Sequence, residues 1–82
     1  MKNEYSQTVS TTVKKLGKIA PCYIFNDGSY TVYWGADIGI TTSDGHPIPC
    51  GTQAYFNKKY KNTEICVISS ASTTIKIAEV PK

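Results

Sequence analysis

Residues 21–35 read Pro21-Cys22-Tyr23-Ile24-Phe25-Asn26-Asp27-Gly28-Ser29-Tyr30-Thr31-Val32-Tyr33-Trp34-Gly35. The first part is a short apolar and aromatic run, the composition of a buried strand, and Asp27-Gly28-Ser29 closes it with residues that favour a turn. The second part alternates, with Tyr30, Val32 and Trp34 on one face and Thr31 and Tyr33 on the other. Together they predict a β-hairpin whose Phe25 and Trp34 furnish a small core.

The same period of two recurs on both sides of this stretch. Upstream, Val9, Thr11 and Val13 alternate with Ser10, Thr12 and Lys14, which predicts a half-buried strand from Thr8. Lys14, Lys15, Gly17 and Lys18 then read as a polar break. Residues 1–7, MKNEYSQ, carry little apolar content and are expected to form a flexible or partner-ordered arm, leaving residues 8–82 as one β domain. Downstream, Ile38, Ile40 and Thr42 alternate after Gly35 and Gly39, which mark a bend or bulge.

Residues 43–51, Ser-Asp-Gly-His-Pro-Ile-Pro-Cys-Gly, are the most distinctive segment. Asp44-Gly45 favours a tight turn. Pro47 and Pro49 lack amide donors, so Pro47-Ile48-Pro49 is expected as an extended connector or an edge strand. Gln53 and Tyr55 then alternate with Ala54 and Phe56, and a loop carries Lys58, Lys59 and Lys61 around Tyr60. The C-terminal third reads as a second hairpin, residues 64–69 and 73–80 around a turn at residues 70–72. In it Ile65, Val67, Ile75 and Ile77 point inward while Lys76 points to solvent. No segment reads as a helix, and about seven short strands separated by turn residues predict an all-β fold, a small single-domain antiparallel β-sandwich or barrel.

At 82 residues, a domain buries only about 60% of the surface its unfolded chain exposes, so disulfides, a metal or oligomerisation commonly supplement the core. The cysteines are Cys22, Cys50 and Cys66, an odd number, and no apolar leader precedes them, so a reducing compartment is expected. Cys22 and Cys66 lie within apolar runs where a free thiol packs as a small hydrophobe, although a bridge between them across facing strands stays open. Three cysteines with His46 have the ligand types of a zinc site but not the close pairing that pins two ligands on one turn. No metal or other cofactor is expected. Oligomerisation remains.

Nine lysines, no arginine and six acidic residues give a net charge of +3. Without the planar guanidinium fork, sequence-specific nucleic-acid reading is not expected. No apolar run reaches the about 18 residues of a membrane helix. Acid–base catalysis needs titratable groups held as a pair. Here Asp27 and Asp44 sit beside glycines in turns, Glu64 and Glu79 sit at strand ends, and Cys50 with His46 lacks an orienting third group. The chain is therefore expected not to be an enzyme. The residues best suited to touch a partner are Tyr33, Tyr55, Lys58, Lys59, Tyr60 and Lys61. Flat rings with polar edges at Tyr33, Trp34, Tyr55 or Tyr60 would also suit a sugar.

From about Pro21 onward the chain resembles a group of small virion-associated proteins of tailed bacteriophages. The resemblance lies in an aromatic strand ending Tyr33-Trp34-Gly35 and in the pattern Thr-Thr-Ser-x-Gly-x-Pro-Ile-Pro-x-Gly at residues 41–51. It continues in Ile68-Ser69-Ser70 and in the closing strand Ile75-Lys76-Ile77-Ala78-Glu79-Val80. It implies a compact β-sandwich without cofactor or catalytic residues, acting in the virion after synthesis in the bacterial host cytoplasm. The expected role is a capsid decoration or cement protein bound to the major capsid protein or another virion protein as a homo-oligomer, a trimer in particular. The alternatives are a tail or fibre component, or a carbohydrate-binding surface module.

Overall fold

Thr73, Ile75 and Ile77 are buried while Thr74 and Lys76 between them are exposed, and this alternation makes the C-terminal segment a strand with one wet face. Around it the computed structural model, which describes residues 3–80, builds an all-β domain of eight strands. These are β1 (Asn3–Val9), β2 (Lys14–Gly17), β3 (Cys22–Phe25), β4 (Val32–Gly35), β5 (His46–Ile48), β6 (Gln53–Phe56), β7 (Ile65–Ser69) and β8 (Thr73–Glu79), with one 3-10 turn at Lys58–Tyr60. Two four-stranded sheets result, ordered β1-β8-β3-β6 and β2-β7-β4-β5, and every ladder is antiparallel. That order, with the last strand lying between the first and the third, is the double Greek key of an eight-stranded jelly roll.

The core lies between the sheets. Sheet one contributes Val9, Cys22, Ile24, Phe56, Ile75 and Ile77, and sheet two contributes Val32, Ile48, Ile65 and Val67. Phe56 is the largest fully buried side chain. Trp34 meets it edge-on at 4.7 Å between ring centroids, and Tyr60 packs edge-on against both, at 5.8 Å from Trp34 and 5.7 Å from Phe56. Offset and edge-to-face arrangements suit the ring quadrupoles and add about 0.5–1.5 kcal/mol per pair beyond burial.

Several sequence expectations are revised. Neither expected hairpin forms: β3 and β4 lie in different sheets, as do β7 and β8. The turn residues at 27–29 and 70–72 carry the chain across the sandwich instead of folding one strand onto its neighbour. Only the β4 to β5 connection stays within a sheet. The expected arm at residues 1–7 is, over its described residues, part of β1, paired with β8 from Asn3↔Glu79 through Val9↔Thr73; Met1 and Lys2 lie outside the described residues. Tyr5 is half-buried there, and its hydroxyl donates to Glu79 Oε2 at 2.5 Å. The strand expected from Thr8 through residue 14 stops at Val9, and the expected polar break becomes β2. As an edge strand pairing only with β7, β2 tolerates lysines, and it ends in a bulge between Lys15 and Gly17, where Gly17 takes φ +91°. Phe25, expected in the core, pairs across β3 with Lys76 and Gln53 on the outward face.

The connections at one end are tied together through Asn26, which is 0% exposed. Its Nδ2 donates to the carbonyls of Tyr30 and Ile48, each at 2.8 Å, and its Oδ1 accepts from the Gly28 amide at 3.1 Å. Its own amide donates to Thr52 O at 2.9 Å, and its carbonyl accepts from Gly51 at 2.8 Å. Beside it Ser29 N donates to Thr73 Oγ1 at 3.1 Å and Thr74 Oγ1 to Asp27 Oδ1 at 2.9 Å. A side chain at Gly28 would overlap Thr73 Oγ1, so this approach of the crossover to β8 requires glycine.

Replacing Asn26 by alanine leaves two carbonyls and one amide without their partner inside the structure. The expected outcome is a loss of about 3 kcal/mol in urea unfolding, from about 1–3 kcal/mol for each buried group left unsatisfied and partial relief by water. A loss below about 1 kcal/mol would show that the crossover does not depend on this side chain.

Candidate functional site

Outward-facing residues of sheet one form cross-strand rows, two of which extend over all four strands. One contains Glu4, Ala78, Tyr23 and Tyr55, and the next contains Ser6, Lys76, Phe25 and Gln53. The alternation places aromatic side chains here because their neighbours on the same strands, Cys22, Ile24 and Phe56, are committed to the core. Tyr23 and Tyr55, directly opposite in register, bring their ring centroids to 4.7 Å at an interplanar angle of 35°. They remain 38% and 54% exposed. Here the sheet surface dips into an open depression of about 350 Å³, lined by Glu4, Tyr23, Phe25, Gln53, Lys76 and Ala78 among others.

The residues expected to contact a partner separate into different places. Tyr55 stands on this sheet face. Tyr33 is on the outward side of sheet two, half-buried, where the backbone of Gly45 comes so close that a Cβ at that position would lie 2.7 Å from Tyr33 Cβ. Lys58, Lys59 and Lys61 are exposed around the 3-10 turn, which Asn57 caps by accepting from Lys59 N at 3.0 Å. Tyr60 is turned inward onto Trp34 and Phe56, and Lys59 Nζ lies 5.5 Å from its ring centroid. The structure therefore joins the three lysines in one basic loop, gives Tyr60 the job of anchoring that loop, and keeps Tyr33 and Tyr55 on opposite outer faces. Of the rings considered for a sugar, Trp34 and Tyr60 are occupied by core packing.

Tyr23 and Phe25 were missed as surface residues. The run 22–25 looks uniformly apolar, so hydropathy alone gives it no outer face. The signal was its phase: Asn26, whose side chain turns inward after Cys22 and Ile24, puts Tyr23 and Phe25 on the other side.

Residues 41–51 divide into an anchored turn and an edge. Asp44 Oδ1 accepts from the Thr41 amide at 2.6 Å and the Thr41 hydroxyl at 3.0 Å, and these bonds hold its carboxyl below the usual carboxylate range. β5 is the edge strand that Pro47 predicted. Beyond it, Pro49 O accepts from the Thr52 amide at 3.1 Å and the Thr52 hydroxyl at 2.7 Å.

All three cysteines are free. Cys22 faces the core, whereas Cys66 alternates with Ile65 and Val67 and so faces outward from sheet two, under the connection at residues 36–45. The bridge left open by the sequence is thereby excluded, since the thiols point to different layers. Among the described residues, no group of three or more His, Cys, Asp or Glu could hold a metal ion, and no helix is long and apolar enough to cross a membrane. Burial pushes the Cys22 thiol up from 9.0 to about 11, with the nearby Glu79 adding to the effect. Burial and the bond to Glu79 raise Tyr5 as well, and burial raises Cys66.

Two outcomes follow for native protein. A thiol reagent such as Ellman's should label one cysteine per chain, the exposed Cys50, and three after denaturation; rapid labelling of two or three in the native state would contradict the packing. Groups whose folded pKa is raised contribute stability below their unfolded pKa and lose it as pH climbs through the folded value. The urea midpoint should therefore fall between pH 9 and about 11, and this fall should shrink in Cys22→Ala; an alkaline profile identical to that of the unsubstituted protein would contradict a buried, raised thiol.

No protein-family model, curated protein or solved structure matches the chain.

Proposed function

We propose that the protein is a non-enzymatic structural component of a bacteriophage particle, a decoration or cement protein that binds the outside of the shell and stabilises it. The observation that carries this reading is the strand order β1-β8-β3-β6 against β2-β7-β4-β5, a jelly roll, which is an architecture recurrent in viral shell domains. A fold does not by itself confer a function. The second support is the resemblance of residues 41–51 to small virion-associated proteins, and those residues form the anchored turn, the β5 edge and the link to Asn26.

The partners on this reading are the major capsid protein or another virion protein, together with sister copies in a trimer. Edge strands supply the means, because each carries unpaired backbone groups that can add a strand. Three of the four edges are blunted: β2 by its bulge and lysines, β5 by Pro47, and β6 by its length of four residues. β1 runs seven residues in unbroken register with no proline, lysine or bulge. We assign it to contact with a sister subunit or the shell, and the basic loop of Lys58, Lys59 and Lys61, which follows β6 at the opposite edge of the sheet, to an acidic surface.

Cryo-electron microscopy of particles lacking only this protein tests the assignment, and loss of discrete density from the shell exterior is expected. Density missing only from the tail would transfer the protein there, and unchanged density throughout the virion would sink the reading. In solution, light scattering should report a trimer that dissociates in Thr8→Lys, which puts a charge on the β1 edge at an exposed position. A stable monomer before substitution would remove the oligomer from the account.

A further inference from the structure

The outward face of sheet one has no packing role, yet it carries three aromatic side chains. Solvent-facing rows of an antiparallel sheet are ordinarily polar. Here Tyr23 and Tyr55 hold exposed rings side by side, and Phe25 stands in the next row. The rings adjoin a depression whose volume, about 350 Å³, lies at the small end of ligand sites, which run about 300–1,000 Å³.

Its border mixes two chemistries. Tyr23 and Phe25 offer flat apolar surface, and Gln53, Lys76 and Glu4, all exposed, offer an amide, an ammonium and a carboxylate. Ala78, opposite Glu4 on one side and Tyr23 on the other, adds only a methyl group to the lining. A wholly apolar ligand would strip water from the amide and ammonium without replacing its hydrogen bonds, which is costly. A nucleic-acid strand would call for a positively charged track along its backbone, and among the described residues Lys76 is the one cation that borders the depression. A pyranose matches both halves of the border: it has a C–H face that packs on an aromatic ring and a rim of hydroxyls that accept from and donate to amides and ammonium groups.

We propose that this face binds a glycan. One sugar ring sits over Ala78 against Tyr23, with its hydroxyls hydrogen-bonded to Lys76, and Gln53, two residues before Tyr55 on β6, serves the next ring. The chain continues onto Tyr55, one strand further across the sheet at a spacing of about 4.8 Å, so that the recognised unit is at least a disaccharide. The inference stands on the sheet face and not on the assignment to a phage particle.

The test is an array of neutral and acidic pyranose oligosaccharides from one to six sugars, probed with the purified full chain. Hits are then followed by titration and by mapping amide chemical-shift changes. Expected are binding that strengthens from mono- to disaccharide, shift changes confined to β3, β6 and β8, and at least a tenfold weakening in Tyr23→Ala and in Tyr55→Ala. Tyr30→Ala, which removes an exposed ring that does not line the depression, should bind unchanged. Thermal melts of the variants guard against loss of fold, and Gln53→Ala supplies a second, milder probe of the polar rim. An array without hits, binding that survives both tyrosine substitutions, or capture of apolar peptides in place of glycans would each overturn the proposal. None of these outcomes bears on the density of particles lacking the protein, so the two readings can fail separately.

Discussion

A jelly roll this small depends on joining strands that do not pair with their sequence neighbours, and Asn26 is where that constraint is met. Six of the seven connections pass from one sheet to the other, and each leaves backbone groups that no ladder can satisfy. Asn26 takes up three of them through its side chain and two through its own backbone, all away from water. It thereby locks the β3 to β4 crossover to the β5 to β6 crossover. Ser69 makes a second tie at the same end, its amide donating to Ser10 O at 2.9 Å and its hydroxyl to Thr31 O at 3.1 Å. Buried polar groups that are fully satisfied hold a fold to one arrangement, and here they hold four crossovers to one another.

The opposite end is held by rings. Trp34 from β4, Phe56 from β6 and Tyr60 from the 3-10 turn close the sandwich where β6 gives way to the basic loop, and His46 lies 4.9 Å from Trp34 on the strand beside it. One end is thus fastened by directional hydrogen bonds and the other by apolar area. The division follows from composition: glycine, serine, threonine and asparagine gather at the first set of crossovers, while the chain's aromatic bulk falls in β4, β6 and the turn. The long connection at residues 36–45 folds back on sheet two, where Ile40 covers Gly35 and Gly45 meets Tyr33. That leaves sheet one as the face turned wholly to its surroundings.

Period-two alternation marked β4, β6, β7 and β8, a short apolar run marked β3, and the all-β class was legible from them. So were the edge character of β5, from Pro47 and Pro49, and the basic loop, from its lysines. Burial of Ile65, Val67, Ile75 and Ile77 followed from their phase alone. These are local properties: a residue's face on a strand and a proline's missing amide are set within a few positions of chain.

What tertiary structure decided is every question of partner. Asp27-Gly28-Ser29 and the turn at residues 70–72 have the same chemistry whether the chain doubles back beside itself or crosses to the other sheet, and the choice falls to Asn26, Thr73 and Ser69, whose bonds reach as far as 44 positions along the chain. β1 looks polar in isolation and becomes a strand because β8 supplies its ladder. The aromatic face came from the same source. Tyr23 and Tyr55 are 32 residues apart in sequence and directly opposite in register, a proximity that exists only once β3 and β6 lie side by side.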